Sequence, residues 1–307
     1  MTQHKATVLI TGASGMIGRL LTGHLQEKGY AVRWLVRDPA QSPVEAFRWS
    51  PEKNELDPAA LEGTDAIINL AGESIASGRW TESRKHRILE SRTKSTLLLA
   101  AKLKEIPNRV SVFLSASAIG YYGDRPVNEL LTEDAQPGND FLATVTREWE
   151  KAADEVTAVT GVRLVKVRIG IVLGEGGALK ELAKPVRLMA GSPLGTGRQM
   201  MSWIHEDDLT GIFIHLLENS GAGGVFNAVA PNPVSNRVMV QAIGRALKKP
   251  VFLPPVPAFL LKVILGEMSV MVLAGNRISA GRILSAGYRF RFPDLQEALK
   301  DIFEGGR

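Results

Sequence analysis

Apolar positions along the first half of the chain alternate between two periods, and each period predicts an element. "ATVLIT" (6–11) and "AVRWLVR" (31–37) read as strands. Between them "GMIGRLLTGHLQEKG" puts Ile17, Leu20, Leu21 and Leu25 on one helical face. "DAIINLAG" is a third strand after a stretch of turn residues, and "TESRKHRILESRTKSTLLLAAKLK" a long helix entered at a Thr-x-x-Ser cap region. "VSVFLSAS" follows as a strand, "FLATVTREWEKAA" (141–153) as a helix, and "VRLVKVRIGIVLG" as the last strand of the series. Strands alternating with amphipathic helices predict an α/β fold, a Rossmann-type doubly wound parallel sheet.

After Gly174 the rhythm changes. A glycine-rich stretch with one helical patch runs to Arg198, and "MSWIHEDDLTGIFIHLLENS" returns to strand and then helix, with Asp208 expected as the helix cap. "GYRFRFP" near the end alternates as a strand would. These patterns divide the chain into a nucleotide-binding domain of residues 1–174, to which 200–228 return, and a smaller C-terminal substrate lobe of 175–199 and 229–307.

Composition narrows the classes. Hydrophobic residues make up 45% and charged residues 22% of 307, as in ordinary folded proteins. With no cysteine, disulfides, thiolate metal sites and Cys nucleophiles are excluded. The net charge of +5 comes without a Lys/Arg run or a nucleic-acid motif, so no nucleic-acid partner is expected. The start offers no signal-peptide pattern, and a cytoplasmic location is expected. The apolar stretch 256–275 is interrupted by Lys262 and Glu267 and entered through Pro254, Pro255 and Pro257. It is expected as a buried or subunit-facing helix, compatible with a homodimer, and not as a membrane span, which needs about 20 mostly apolar residues. No metal site is expected.

"TGASGMIG" (11–18) joins the first strand to the first helix, with Gly12, Gly15 and Gly18 in G-x-x-G-x-x-G spacing. Glycines there allow a tight turn and close backbone approach to a pyrophosphate, while the helix N-terminus supplies free N–H groups. An NAD site places an acidic residue about 20 positions further on. Here Val36 and Arg37 stand near that place, with Asp38 beyond. A guanidinium holds a 2′-phosphate through two parallel hydrogen bonds, so NADP(H) is the expected cofactor. The alternative is a solvated Arg37, with Asp38 on the ribose. After the third strand, Leu70, Ala71 and Gly72 are small enough for the adenine-ribose side to lie against them.

With "NLAG", "SASAIGYYG", "VRIGIVLG" and "SWIHEDDL" following in order, the chain resembles the extended short-chain dehydrogenases, the group of the nucleotide-sugar epimerases. "LAGESIASGRW", "SASAIGYYGD", "FLATVTREWEKAA" and "GTGRQMMSWIHEDD" resemble an atypical subgroup of epimerase-family proteins, some carrying a cell-division-inhibitor label. The resemblance covers nearly the whole chain. It implies that Gly12, Ser14, Gly15, Met16, Ile17 and Gly18 form the phosphate loop, that Arg37 discriminates the cofactor, and that Arg92 passes beside it. It also implies that Ser117 bonds the reacting oxygen, with Ser115 on the nicotinamide side.

Two departures bear on the chemistry. The superfamily's Tyr-x-x-x-Lys pair is missing: Leu142 and Thr146 stand in its places, and neighbouring frames give Phe141 and Val145, or Ala143 and Arg147. Losing general acid–base help costs roughly 10²–10⁴ in rate. Of the four tyrosines, Tyr30 and Tyr288 read as packing residues, and Tyr121 is the candidate displaced acid, with Arg125 four positions on. His205 reads as structural; Glu73 and Glu133 are possible cleft carboxylates without an evident partner. The second departure is Met201, where nucleotide-sugar enzymes place an arginine, with Arg198 nearby. Trp80, Trp203 and Phe259 point to a smaller or more apolar substrate. The expected function is an NADP(H)-dependent oxidoreductase or epimerase-like enzyme on a small molecule. The alternative is a non-catalytic NADP(H)-binding regulator or scaffold.

Overall fold

The computed structural model describes residues 4–126, 128–159 and 161–305. The outer ends of the two expected domain ranges lie outside these residues. In chain order the first half runs β1 (Thr7–Thr11), α1 (Met16–Glu27), β2 (Ala31–Val36), β3 (Ala46–Ser50), β4 (Glu55–Leu56), β5 (Ala66–Asn69), α2 (Glu82–Glu105), β6 (Val112–Ala118), β7 (Leu130–Leu131) and α3 (Phe141–Asp154). It continues with β8 (Arg163–Ile169), β9 (Ile171–Leu173), α4 (Gly177–Arg187), β10 (Met200–Met201), β11 (Trp203–His205), α5 (Glu206–Glu218) and β12 (Gly224–Ala228). The last part holds β13 (Val234–Ser235), α6 (Asn236–Ala246), α7 (Ala258–Leu265), α8 (Val270–Leu273), β14 (Arg277–Ile278), α9 (Gly281–Ser285) and α10 (Leu295–Glu304).

Eight strands form one sheet in the order β12-β8-β6-β5-β1-β2-β3-β4, parallel throughout except for the β3–β4 pair. Parallel strands have both faces covered. One face packs on α1 and α5 through Leu21, Leu25, Ile212 and Phe213; the other packs on α2 through Leu98, Leu99 and Leu103. β3 and β4 arise in the stretch read as turns, where "AFRWS" is too short to stand out from its prolines.

Four expectations of the fold are corrected. The single strand expected over 162–174 is two, because Gly170 lets the carbonyl of Ser202 approach where a side chain would stand: an added Cβ would lie 2.6 Å from that oxygen. β9 thereby leaves the main sheet to pair with β11. "GYRFRFP" is an irregular segment, although Tyr288, Phe290 and Phe292 do turn inward while Arg289 and Arg291 stay exposed. Among the described residues no strand pairs with it; Asp208 accepts from the N–H groups of Arg291 and Phe292 (2.8 and 2.9 Å) and from the Tyr288 hydroxyl (2.9 Å). Asp208 is therefore not the cap of α5. His205 fills that place, its Nδ1 accepting from the N–H of Asp207 at 3.1 Å.

The apolar stretch 256–275 is neither one helix nor buried. Gly266, at φ +60°, ends α7, and Phe259 and Val263 are 70% and 72% exposed. Among the described residues no helix is long and apolar enough to cross a membrane. The segment after α7 instead reaches the start of α2: Lys85 pairs with Glu267 at 2.5 Å, and Met268 and Met271 pack against a cluster centred on Trp80 and Ile88.

Candidate cofactor groove and the buried network beside it

The glycine loop forms because its neighbours leave no room for anything larger. Gly12 has φ +64°, and an added Cβ would lie 2.7 Å from the carbonyl carbon of Leu70. At Gly18 it would lie 2.5 Å from the Cα of Ala13. Gly12 thus presses β1 against "NLAG", and Gly18 presses α1 against the loop. Thr11 fastens the junction, its hydroxyl donating to Asn69 Oδ1 at 2.7 Å and accepting from the N–H of Ala71 at 3.2 Å. The N-terminus of α1 has no side-chain cap and no acidic residue in its first turn. Unsatisfied N–H groups and the positive dipole end therefore face outward with Ser14, Gly15, Met16 and Ile17, an arrangement suited to a phosphate.

At the end of β2, Val36 is half-buried and Arg37 exposed, with no ion pair or hydrogen bond to a described residue. Asp38 is already used: its carboxylate accepts from the N–H of Ala40 and from Gln41 Nε2, both at 3.2 Å, capping the short turn that follows.

Leu70, Ala71 and Gly72 run on from β5 beneath α2. A Cβ on Gly72 would lie 3.0 Å from Arg92 Cζ, so the guanidinium occupies the space the glycine leaves. Arg92 Nη1 donates to the carbonyl of Ile88 at 2.9 Å, and the guanidinium stands 5.2 Å from the Trp149 ring centroid. Burial lowers its pKa to about 10, partly offset by the field of Glu73 and reinforced by that of Arg84. Glu73 itself is an ion-pair partner of Arg84, which is almost fully buried. Thr96, accepting from Asn69 Nδ2 and Trp149 Nε1, ties α2 to β5 and α3. The sequence reading missed Thr11, Asn69 and Thr96; their only signal was a polar side chain at a strand end or on the buried face of a helix.

Further along the same edge the polar residues bond to one another. Ser117, 2% exposed, donates to Glu150 Oε1 at 2.6 Å. Glu150 holds Arg168 in a two-point pair, Nε–Oε1 2.7 Å and Nη2–Oε2 2.9 Å. Arg168 Nη1 donates to the Tyr122 hydroxyl at 3.0 Å, which donates to Asn227 Oδ1 at 2.7 Å; the N–H of Asn227 donates to Glu133 at 2.9 Å. Burial opposes the charge on Arg168, but the hydrogen bonds and field of Glu150 more than offset it and raise its pKa. Burial raises the Tyr122 hydroxyl, with Arg168 offsetting part of the shift. Ser115 is buried nearby and makes only a 3.2 Å contact with the carbonyl of Ala116. The signal for this network was weak: Arg168 is one of three cations on β8, with Arg163 and Lys166, and only its burial sets it apart.

Tyr121 sits at the surface of this network. Its ring lies over the Arg168 guanidinium, 3.4 Å from centroid to Cζ, and its hydroxyl has no partner among the described residues. The cation beside Tyr121 is thus Arg168 and not Arg125, whose Nε and Nη2 bond to the carbonyls of Tyr122, Gln136 and Pro137. At the places of the missing pair, Leu142 packs beside Gly120 and Thr146 donates to the carbonyl of Leu142 at 2.8 Å. Phe141, Val145 and Trp149 are packing residues, as their spacing predicts. Of the aromatics expected to face a ligand, only Trp80 is near the groove. Trp203 is fully buried in another core with its Nε1 on the carbonyl of Asn232, and Phe259 points outward. Glu133 is buried in the network, while Arg198 is exposed.

Known proteins share this architecture. The model of the NAD dependent epimerase/dehydratase family matches residues 8–228, and that of a domain of unknown function, DUF1731, matches 256–302. The epimerase family protein YfhF of Bacillus subtilis (strain 168) is 36% identical over 298 residues, 96% of this chain and 97% of its own. The epimerase family protein SDR39U1 of Mus musculus is 37% identical over 300 residues, 96% of this chain and 99% of its own. The crystal structure of human SDR39U1 (isoform2) with NADPH superposes with a TM-score of 0.87 at 34% identity, covering 97% of this chain and 99% of that one. The chain belongs to the NAD dependent epimerase/dehydratase family, among the SDR39U1- and YfhF-like proteins that carry a C-terminal DUF1731 domain.

Proposed function

We propose that this protein binds NADP(H) along the glycine loop and serves as an oxidoreductase or epimerase-like enzyme on a small substrate. One observation carries the choice of cofactor: Asp38 is used as a turn cap while Arg37 stands exposed and unpaired at the same strand end. A carboxylate there would repel a 2′-phosphate, whereas a guanidinium binds it through charge-assisted hydrogen bonds. The human relative crystallised with NADPH supports the same choice. Ser14, Gly15, Met16, Ile17 and Gly18 would hold the diphosphate, Val36 and Arg37 the adenosine 2′-phosphate, and Leu70, Ala71 and Gly72 the adenine-ribose side. When bound, the cofactor supplies hydride transfer.

The chain's own residues handle the proton. Tyr121 is the donor, with its hydroxyl unbonded among the described residues and the Arg168 charge against its ring. Ser117 already donates its hydrogen bond to Glu150, so towards substrate it acts as an acceptor. Ser115 lies deeper on the same strand.

Calorimetric titration with NADPH and NADH tests the cofactor reading. NADPH is expected to bind more tightly, and Arg37→Ser is expected to weaken NADPH roughly ten- to a hundredfold, the worth of a hydrogen-bonded charge, while leaving NADH unchanged. Equal affinity of wild type for the two dinucleotides would sink it.

A second reading, a non-catalytic NADP(H)-binding regulator, is favoured by the bonding of Ser117 to Glu150 and of Thr146 to its own helix. Turnover separates the two. NADPH oxidation with a carbonyl panel, lost in Tyr121→Phe, supports the enzyme. Unchanged turnover in that variant removes Tyr121 from it.

A further inference from the structure

Arg92 makes no ion pair among the described residues, and Glu73, whose field reaches it, is paired with Arg84. No described carboxylate lies within 4.0 Å of it, and protein surrounds the guanidinium on most sides. Its one hydrogen bond goes to the carbonyl of Ile88, on its own helix, while Gly72 leaves room for the planar group at the floor of the groove. Placing a charge there without a partner costs free energy that a bound anion would recover. Meanwhile the buried face of α3 (Ala143, Val145, Thr146, Trp149, Glu150) brings no cation to the groove.

The sheet order says which part of a dinucleotide such a cation would meet. β1, carrying the glycine loop, lies between β2 on one side and β5 on the other. Arg37 follows β2, and Arg92 stands over the segment that continues β5, so the two arginines flank the loop on opposite sides. With the 2′-phosphate on Arg37 and the diphosphate on the loop, the molecule continues past β5 towards β6. We propose that Arg92 binds the dinucleotide's second phosphate, on the nicotinamide side, and so supplies from α2 the cation that α3 lacks. The proposal rests on the NADP(H) reading above.

Calorimetry with two ligands tests it: NADPH, and adenosine 2′,5′-bisphosphate, which ends at the first 5′-phosphate. Arg92→Gln is expected to weaken NADPH about ten- to a hundredfold and to leave the bisphosphate within about twofold. Retained bisphosphate binding also certifies the fold of the adenosine half. Arg92→Lys keeps the charge but loses the two-pronged geometry, and is expected to lose roughly three- to tenfold for NADPH alone. This variant carries the test if Arg92→Gln does not fold. Arg37→Ser is expected to weaken both ligands. NADPH affinity untouched in either Arg92 variant overturns the proposal and leaves the cation to an anionic substrate. Equal weakening of both ligands also overturns it, since the effect would then lie in the adenosine half. Wild type binding neither ligand overturns the NADP(H) reading, and this inference with it.

Discussion

At the β1–β2–β5 end of the sheet edge, Arg37 and Arg92 pair with no carboxylate among the described residues, and the first turn of α1 has no side-chain cap. At the β6–β8 end of the same edge, Ser117, Glu150, Arg168, Tyr122 and Asn227 bond to one another and are almost fully buried. Both regions are polar, and both lie where open α/β sheets bind ligands. The difference is in what their groups have left to offer. Charges without an ion-pair partner have interactions left to give, whereas the buried network spends its hydrogen bonds on the fold, with the Tyr121 ring at its outer side. Helix α3 keeps the place it has in the dehydrogenases, but its polar contribution, Glu150, is turned inward to Arg168.

The sharpest way to break this comparison is to remove one member of the buried pair. Arg168→Met leaves the Glu150 carboxylate buried without its cation, and is expected to cost about 3–5 kcal/mol in urea unfolding. Replacing both, as Glu150→Leu with Arg168→Met, should cost less than the single change. A stable Arg168→Met protein that loses only ligand binding would show the network to be part of the site.

A smaller effect is expected at the glycine loop. In Gly18→Ala the new methyl meets backbone atoms of Gly12 and Ala13 that have no rotamer to escape into. About 1–3 kcal/mol of stability should be lost, as for other overpacked sites, together with NADPH affinity. Lost stability with full affinity would separate the loop's packing role from its phosphate role.

The smallest effect concerns pH. Burial, followed by the Asp208 charge, raises the Tyr288 pKa, and burial raises that of Tyr122. A hydroxyl with a raised folded-state pKa contributes stability fully present below its unfolded value, about pH 10 for tyrosine, and lost as pH rises towards the folded value. Unfolding free energy should therefore hold between pH 8 and 10 and decline above. Tyr288→Phe should be less stable at pH 8, by about 1 kcal/mol for the lost hydrogen bond, and decline less steeply. An identical slope in the variant would remove Tyr288 from the alkaline transition.

Much of the nucleotide end is written in consecutive residues. The glycine spacing, the strand before it, the helix after it and Arg37 all lie within the span of one β-α-β unit, so local periodicity and turn chemistry were enough to read them. So was the loss of the Tyr-x-x-x-Lys pair, because that motif sits on one helix turn. Other features could not be read this way because their partners are far apart in the chain. Glu150 meets Arg168 across two elements, Asn227 meets Tyr122 from 105 residues away, and Asp208 meets the backbone of Arg291 and Phe292 from over 80. Whether Arg125 or Arg168 serves Tyr121, whether Asp208 caps a helix or ties down the C-terminal segment, and whether 256–275 is buried were all settled by such long-range contacts.

The sequence by itself therefore determined the α/β class, the glycine turn between β1 and α1 and the absence of the usual acid–base pair, because each depends on neighbours within a turn or two. Only the tertiary structure decided which charges are neutralised and which remain free, because the field at a side chain is set by everything within a few ångströms of it, whatever its distance along the chain.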